Sequence, residues 1–263
     1  MGTDRTLNTI YPSNKHRTEE YLKKFDREKT LKHLIKSSSP IIYDIGANNG
    51  DSLKEFKHWW PNSEVHCFEP QEECWDELDS YVTDYKDSVY INKFAVSNES
   101  STNNIFYTHK ISSGLSGFNK INLKSKDSVY LQQLHLKEPN KVSDYEDSIN
   151  HIRTVKTIRM DEYIETVENY SSHIDLLKID TQGFEPQVLD SFGTKLQDVD
   201  VIITELMFYD YYERSLSFSD IEKYLLPAKF HLYDISHIAK NPMNGRTDWI
   251  DVIYVHERLR KHI

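Results

Sequence analysis

Cysteine is scarce in this chain of 263 residues, which contains only Cys67 and Cys74. The two do not form a CxxC pair, so the sequence predicts neither a disulfide framework nor a zinc site, and it fits a reducing cytoplasm. No apolar run approaches the roughly 20 residues that cross a bilayer, and the N-terminus lacks the apolar core of a signal peptide. These absences predict a cytoplasmic protein without a membrane span.

Positive charge is also in deficit, because 32 Lys and Arg face 42 Asp and Glu and give a formal net charge of −10. A phosphate backbone attracts basic surfaces, so this balance argues against nucleic acid as the main partner. Hydrophobic residues make up 38% of the chain, which suffices for one substantial core. We expect an α/β domain over residues 40–263, preceded by a helical segment over residues 1–39 that caps the sheet. A role of that segment in closing over a ligand or in a homodimer is the alternative.

The stretch from Ile41 to Ser52 contains two of the eight glycines. A short apolar run ends in Asp44, a turn with Gly46 and Gly50 follows, and helical spacing begins after it. Strand, glycine turn and helix form a cradle in which the backbone can approach a ligand closely. Asn48 replaces the middle glycine that lets a dinucleotide fold reach a pyrophosphate. A ligand with an adenosine and no phosphates, such as S-adenosylmethionine, has no such need; a plain strand-to-helix turn is the alternative.

The second predicted strand, Val65–Phe68, ends in Glu69. Glu69 follows the glycine turn by about twenty residues, the spacing at which an acid accepts hydrogen bonds from ribose hydroxyls in such folds. A surface position is the usual alternative for a single glutamate. Here the strand end, the spacing and the turn agree, so we favour the ribose role.

Strands and helices alternate along most of the remaining chain. Further strand patterns occur at residues 89–96, 104–107, 155–158, 174–179, 199–204, 230–235 and 249–255. The alternation predicts a mainly parallel sheet, and a last strand pair without a helix between its members predicts one antiparallel strand. Residues 114–155 are irregular, which indicates a lid or a substrate wall, with a surface excursion as the alternative.

Four short motifs lie in order on the ends of predicted strands. They are Asp44–Gly50, Phe68–Pro70, Ala95–Ser97 and Leu177–Glu185. Together they resemble the FkbM family of S-adenosylmethionine-dependent O-methyltransferases over about Ile41 to Val255, with Met160-Asp161 where the family has a Leu-Asp pair. The resemblance implies the Rossmann-like class I methyltransferase fold, a mainly parallel seven-stranded sheet with the last strand antiparallel and helices on both faces.

The same resemblance implies roles for individual residues. The methionine and ribose part of the cofactor would be lined by Asp44, Gly46, Asn48 and Gly50. Glu69 would hold the ribose hydroxyls, and Ala95 and Val96 would border the adenine. Asp180 would face the transferred methyl. All of these positions lie at the carboxyl ends of parallel strands, where open α/β sheets bind ligands.

Methyl transfer to an aliphatic hydroxyl requires a base or a metal, because such a hydroxyl is a poor acid. Asp180 and Glu205 end adjacent predicted strands, and their carboxylates could bind Mg²⁺ or Mn²⁺, which lowers the pKa of a bound hydroxyl. His237, just past the sixth strand, is the alternative general base. We favour the acid pair because two strand ends fix its position.

The acceptor is the least determined partner. The resemblance implies a small-molecule or glycan hydroxyl on a sugar, nucleotide-linked or in a surface glycan, or on a natural product. Aromatic residues at 208–212 could stack on a pyranose ring or simply pack. Phosphates of a nucleotide-linked sugar would need cations, for which the candidates are Arg214, Lys240 and Arg246. An NAD-dependent oxidoreductase and a non-catalytic cofactor-binding module remain as other function classes.

Overall fold

The structure is a computed structural model that describes residues 13–85, 87–110, 112–127, 147–167, 173–242 and 244–260. The chain divides into two compact units, residues 1–36 and residues 37–263. The first contains helices α1 (Asn14–Lys24) and α2 (Arg27–Leu34). Between them, the Phe25 ring stacks on Tyr21 and meets His33 edge-on. The functional roles expected for this segment stay predictions.

The second unit is built on a seven-stranded sheet. Its strands are β1 (Ile41–Ile45), β2 (Glu64–Phe68), β3 (Val89–Asn92), β7 (Ile174–Ile179), β8 (Val199–Met207), β9 (Phe230–Lys240) and β10 (Thr247–His256). They are arranged in the order β3-β2-β1-β7-β8-β10-β9. Strands β3 to β8 of this order run parallel, whereas β10 is antiparallel to both of its neighbours. The predicted mainly parallel, Rossmann-like α/β sheet with an antiparallel last strand is confirmed.

Helices connect and cover these strands. The described ones are α3 (Asp51–Trp59), α4 (Glu72–Asp84), α5 (Met160–Thr166), α6 (Glu185–Ser191), α7 (Phe218–Leu225) and α8 (Glu257–Arg260). Helix α7 begins at a capping box in which Ser217 and Asp220 satisfy each other's backbone N–H. None of the helices in the described ranges is long and apolar enough to cross a membrane.

The core lies around β7 and β8, whose sequences are apolar over most of their length because helices cover the sheet. Leu177 and Ile202 are fully buried there. Val188 of α6 and Ile221 of α7 belong to the same apolar cluster. Each such side chain contributes about 1.5–3 kcal/mol when removed from water. This packing fixes the carboxyl ends of the central strands relative to each other.

The predicted third strand, residues 89–96, is wrong as one element. The chain turns after β3 at Asn92, where the Phe94 N–H donates to the Asn92 carbonyl at 2.9 Å. The Phe94 ring packs against Phe68 and Tyr163 at the point where the chain leaves the main sheet. Residues Ala95–Val96 then form a separate strand, β4.

Strand β4 belongs to a second, three-stranded sheet that the sequence did not reveal. Its other members are β5 (Ser101–Thr108) and β6 (His151–Ile158). Strand β6 is central, parallel to β4 and antiparallel to β5. The predicted strands 104–107 and 155–158 are therefore parts of two longer strands.

Gly46 lies where the ends of β1 and β7 come close together. It has a φ of +85°, and an added Cβ would lie 1.9 Å from the carbonyl oxygen of Asp180. The left-handed conformation alone costs an L-residue about 1–2 kcal/mol. We expect Gly46→Ala to lower the free energy of unfolding by clearly more than that, as measured by urea denaturation.

Gly245 is the matched control, because it has a φ of +75° and no atom within 4 Å of the position that an added Cβ would occupy. Gly245→Ala should therefore lower the free energy of unfolding only by the cost of the left-handed backbone conformation. Equal losses in the two variants would show that the contact with Asp180 is not a constraint.

Candidate functional site

A cavity opens at the carboxyl ends of β1, β2 and β7. It contains about 550 Å³ of space, part of which is open to solvent, and small-molecule sites typically enclose ~300–1,000 Å³. The predicted site residues that line it are Gly46, Asn48, Glu69, Ala95, Val96 and Asp180. The other predicted residues, all in the described part of the chain, lie outside this lining: Asp44, Gly50, Glu205 and His237.

The glycine turn after β1 joins two strand ends. The N–H groups of Gly46 and Ala47 donate to the carbonyl of Phe68 at 3.0 and 3.2 Å. Asn48 has a φ of +46°, a left-handed conformation that asparagine tolerates better than most residues. Gly50 begins α3, and its Cα faces the side chains of Leu78 and Tyr81 rather than the cavity. The turn therefore presents Asn48 to the cavity and uses Gly50 to start the helix.

Glu69 is buried at the end of β2, with 3% of its surface exposed. Its two carboxylate oxygens accept hydrogen bonds from the backbone N–H of Asn48 at 2.9 Å and of Gln71 at 2.8 Å. Burial raises the pKa of Glu69 to about 7, although both N–H donors oppose the rise. Each oxygen keeps a second lone pair, so the carboxylate can still accept a hydroxyl donor from the cavity.

Asp44 forms a buried ion pair behind the turn. The ammonium of Lys178 lies 3.1 Å from Asp44 Oδ1 and 3.6 Å from Asp180 Oδ2. Asp44 is fully buried, and Lys178 is 8% exposed. The positive charge of Lys178 therefore offsets the negative charges of two acids, Asp44 and Asp180, at the ends of β1 and β7. Asp44 does not line the cavity, but this lysine links it to the lining residue Asp180.

The apolar end of the cavity belongs to the second sheet. Ala95 and Val96 of β4 line it together with Phe106 of β5 and Phe118. The Phe118 ring lies edge-on to Phe106, with ring centroids 5.2 Å apart. Such apolar and aromatic walls suit a flat heteroaromatic ring.

Asp180 and Glu205 are brought together by a third residue. The Gln182 amide nitrogen lies 3.0 Å from Asp180 Oδ1 and 3.5 Å from Glu205 Oε2. Burial raises the pKa of Glu205 well above its usual range, and among the neighbouring charges Asp180 adds most to the rise. The predicted strand 199–204 extends to Met207, so Glu205 lies within β8 and not at its end, and Asp180 and Glu205 are linked through Gln182. Their roles as catalytic residues or metal ligands stay predictions.

His237 occupies a different position from the one expected. The predicted strand 230–235 extends to Lys240, so His237 lies within edge strand β9 and not in a loop after it. Its backbone partner is Asp251 of β10, whose own partner on the other side is Glu205. A whole strand therefore separates His237 from the acid pair, and its exposed side chain lies near Trp249, with ring centroids 6.5 Å apart.

Several lining residues come from a segment for which the sequence offered only a general expectation of a lid. They are Ser113, Gly114, Ser116, Gly117 and Phe118. The Ser113 hydroxyl donates to Asn48 Oδ1 at 3.0 Å, which ties this segment to the glycine turn. The predicted lid over 114–155 thus begins along the cavity, whereas its residues 128–146 lie outside the described residues.

A separate group of potential metal ligands lies at the amino ends of β7 and β8. His173 Nε2 is 3.3 Å from Asp175 Oδ1 and 3.2 Å from Asp200 Oδ2. Among the described residues it is the one such group of three, and neither Asp180 nor Glu205 belongs to it. Arg258 pairs with Asp200, so these contacts join α8 to the sheet, far from the cavity.

The buried pair can be tested through stability. Lys178→Met should leave Asp44 without its cation, and breaking a buried pair in this way costs about 3–5 kcal/mol. The double variant Asp44→Asn/Lys178→Met should recover much of this loss, because it removes both charges. Chemical denaturation of the three proteins measures the difference.

Lys54→Met is the control, because Lys54 pairs with Asp51 and Glu77 on the surface and is 48% exposed. The free energy of unfolding of Lys54→Met should fall by no more than about 1 kcal/mol. A Lys178→Met protein as stable as Lys54→Met would contradict the structural role of the pair.

The family model of the methyltransferase FkbM domain matches residues 44–234. No curated protein matches at a significant level. Among solved structures, an FkbM methyltransferase from Methylobacillus flagellatus KT is 13% identical with a TM-score of 0.47, covering 83% of this chain and 44% of that one. This chain thus spans less than half the length of that protein.

Two further similar structures are methyltransferases. Precorrin-6y C5,15-methyltransferase from Geobacter metallireducens GS-15 is 8% identical with a TM-score of 0.43, covering 88% of each chain. The 1,6-didemethyltoxoflavin-N1-methyltransferase from Burkholderia thailandensis is 8% identical with a TM-score of 0.42, covering 92% of this chain and 83% of that one. The family match extends over most of the cavity and the strands that carry it. The chain belongs to the FkbM domain family of S-adenosylmethionine-dependent methyltransferases.

Proposed function

We propose that the chain methylates a hydroxyl group of a sugar or a natural product, with S-adenosylmethionine as the methyl donor. One observation carries the proposal: the cavity lining holds a buried acid after β2, Glu69, and also Asp180 after β7, which Gln182 links to Glu205 of β8 outside the lining to form an acid pair. Glu69 suits the ribose of the cofactor, and the acid pair suits the reacting hydroxyl of the acceptor. Strand β1 with its glycine turn lies between them.

Different residues of the cavity lining would contact different parts of the cofactor. Glu69 would accept the ribose hydroxyls, while Ala95, Val96 and Phe118 would border the adenine. Asn48 in the turn from Gly46 would face the methionine part. Asp44 would support this turn through Lys178, and Gly50 would support it by starting α3. These roles rest on the lining and contacts described above.

The bound cofactor supplies a methyl group on a positively charged sulfur and leaves as a neutral thioether. Asp180, whose side chain is 41% exposed, would place negative charge beside that sulfur. In the transfer, the acceptor oxygen forms a bond to the methyl carbon as the sulfur–methyl bond breaks. The hydroxyl proton must go to a base.

Glu205 is the base that the structure favours. A base works best when its pKa lies near the operating pH. Burial and the neighbouring Asp180 raise the pKa of Glu205 well above its usual range, which makes it a stronger base than a free glutamate. Activity should therefore rise with pH as Glu205 loses its proton.

A divalent ion on Asp180 and Glu205 is the second way to activate the hydroxyl. Mg²⁺ or Mn²⁺ would take oxygen ligands from both side chains. The Gln182 amide nitrogen now donates to both carboxylates, so an ion between them would have to displace a hydrogen-bond donor. This arrangement favours direct proton removal over metal activation.

The acceptor is better described as uncharged than as nucleotide-linked. Arg246 already pairs with Asp127 at 2.6 Å and with Asp248 at 2.9 Å. Arg214 lies 3.7 Å from Asp220, and the third candidate cation, Lys240, donates to the Thr247 hydroxyl at 2.6 Å. The three candidates for phosphate binding thus have other partners.

Aromatic residues after β8 are mostly part of the core. Tyr211 and Tyr212 are 0% and 2% exposed, so they pack and do not offer a free ring face. Tyr209 stacks on Tyr211 and lies near Trp249. We propose that the segment from residue 114 covers the acceptor, and that the unit before residue 37 serves as a cap or in a homodimer of a cytoplasmic enzyme.

The ribose role of Glu69 gives a pH-dependent prediction. Hydroxyl donors stabilise the ionised carboxylate, so binding should lower the raised pKa of about 7. The affinity for S-adenosylmethionine should therefore rise with pH between about pH 5 and about pH 7, by at most about tenfold per unit, and level off above about pH 7. Isothermal titration calorimetry across this range measures it.

Glu69→Ala should weaken binding by about 1–3 kcal/mol, and Glu69→Gln should abolish the pH dependence. Glu72→Ala is the control, because Glu72 is exposed in the first turn of α4. Unchanged affinity in a folded Glu69→Ala protein would refute the ribose role.

The proposed activity is tested by forming S-adenosylhomocysteine. The protein is incubated with S-adenosylmethionine and a panel of monosaccharides, oligosaccharides and polyketide alcohols, and the product is quantified by mass spectrometry. Acceptor-dependent formation supports an O-methyltransferase. Tight binding without turnover on any acceptor supports a non-catalytic module, and binding of NAD in place of S-adenosylmethionine supports an oxidoreductase.

Proton removal is then tested on the active acceptor. Glu205→Gln should lower kcat by roughly 10²–10⁴-fold, the usual contribution of a positioned base. EDTA should leave the rate unchanged; abolition by EDTA with rescue by Mg²⁺ or Mn²⁺ would assign the pair to a metal. His237→Ala should have little effect, since β10 separates it from β8. A large loss there would make His237 the base.

A further inference from the structure

Gln182 is the residue that joins the acid pair to the cavity wall. It lines the cavity directly after Asp180 and Thr181. Its amide nitrogen reaches Asp180 and Glu205, and its amide oxygen lies 2.8 Å from the hydroxyl of Tyr212. The same hydroxyl lies 2.8 Å from the carbonyl of Leu115 in the wall segment. A chain of polar contacts thus runs from the wall to both carboxylates.

The backbone of Gln182 is held in a conformation that few side chains adopt. Its φ is +56°, in the left-handed region. The Thr181 N–H donates to Glu185 Oε1 at 2.9 Å, and Asn119 donates to the Gln182 carbonyl at 3.2 Å. Strain of this kind persists only where the surroundings fix it. Here they fix the direction of the Gln182 side chain.

We propose that Gln182 is a positioning residue for methyl transfer, whose amide holds the Asp180 and Glu205 carboxylates side by side so that Glu205 can take the acceptor proton. This proposal rests on the function proposed above. Two negative groups repel each other, and the two N–H bonds of one amide offset that repulsion without adding charge. Tyr212 keeps the oxygen of the amide turned away from the carboxylates, because its hydroxyl contacts that oxygen.

The groups that face Glu205 come from several elements. Asp180 after β7, Glu185 of α6 and Asp251 of β10 raise its pKa, and Lys178 of β7 lowers it. The phenols of Tyr209 and Tyr212 are also near it. Against this background, loss of the Gln182 N–H bonds should raise the pKa of Glu205 further, and a third carboxylate should raise it most.

The experiment compares three substitutions at one position. Gln182→Met removes the donors at similar size, Gln182→Glu replaces them with a charge, and Gln182→Asn keeps the amide on a shorter stem that tolerates the left-handed backbone. The pH at half-maximal kcat, measured at saturating S-adenosylmethionine and acceptor, should rise in the order wild type, Met, Glu. The Asn variant should resemble Met, because its amide is too short to reach both carboxylates.

Gln197→Glu is the control, since Gln197 is exposed near the amino end of β8. It should leave the pH profile unchanged. Affinity for S-adenosylmethionine should change by less than about threefold in the Met variant, which separates positioning from cofactor binding. A Met protein whose profile coincides with that of the wild type would overturn the proposal, and so would a wild-type profile in the Asn protein, since its amide is too short to reach both carboxylates.

Failure of the proposed function can be told apart from failure of this inference. Carbon-13 NMR of glutamate-labelled protein follows the Glu205 carboxyl titration without any acceptor, with Glu205→Gln used to assign the signal. A higher titration midpoint in Gln182→Met supports the positioning role even if no acceptor is methylated. An unchanged midpoint refutes it even if methylation is observed.

Discussion

The geometry of the site depends on one close contact, in which the carboxyl end of β1 packs against the carboxyl end of β7. Gly46 sits against the Asp180 carbonyl, and the Asp180 N–H donates to Ile45 at 3.0 Å. A side chain at Gly46 would push these strands apart. The same displacement would separate Asp44 from Lys178 and move Asp180 away from the glycine turn, so one missing Cβ sets several distances in the cavity.

Burial of acids gives the cavity a defined electrostatic character. The pKa values of Glu69 and Glu185 are raised to about 7, and that of Glu205 is raised well above its usual range, mainly because burial disfavours the charged forms. Since the folded-state values of Glu69 and Glu185 lie above the unfolded one, their contribution to stability is complete below about pH 4.5 and is lost as pH rises through about 7. Hydroxyl donors and a sulfonium charge stabilise the ionised forms, so ligand binding offsets this loss near neutral pH.

Local sequence pattern was enough to predict the main sheet and the ends of three of its strands, β1, β2 and β7. Apolar runs that stop at Asp44, Glu69 and Asp180 mark those ends, because the signal lies within a few consecutive residues. The FkbM family and the Rossmann-like fold followed from the same residues and are confirmed by the family match. The individual site roles stay predictions, although the cavity collects most of the residues named.

Other contacts depend on which strands are neighbours in the sheet, and the sequence pattern alone does not predict this. The pairing of Lys178 with Asp44 needs β1 beside β7, and the contact of Gln182 with Glu205 needs β7 beside β8. The extent of β9 was underestimated, because an exposed edge strand with register shifts lacks clear alternation. The break at Phe94 was missed for a related reason: both halves of residues 89–96 are strands, but they belong to different sheets.

Assignment of β4 to the second sheet divides the binding site between two frameworks. The main sheet carries the acids, whereas the three-stranded sheet carries the apolar wall and the segment that follows β5. Insertions between β5 and β6 need not disturb the ladder of the main sheet, since loop length costs little free energy when the ends are fixed. Changes in the length of this connection can therefore reshape the apolar wall of the cavity while the acids of the main sheet keep their positions.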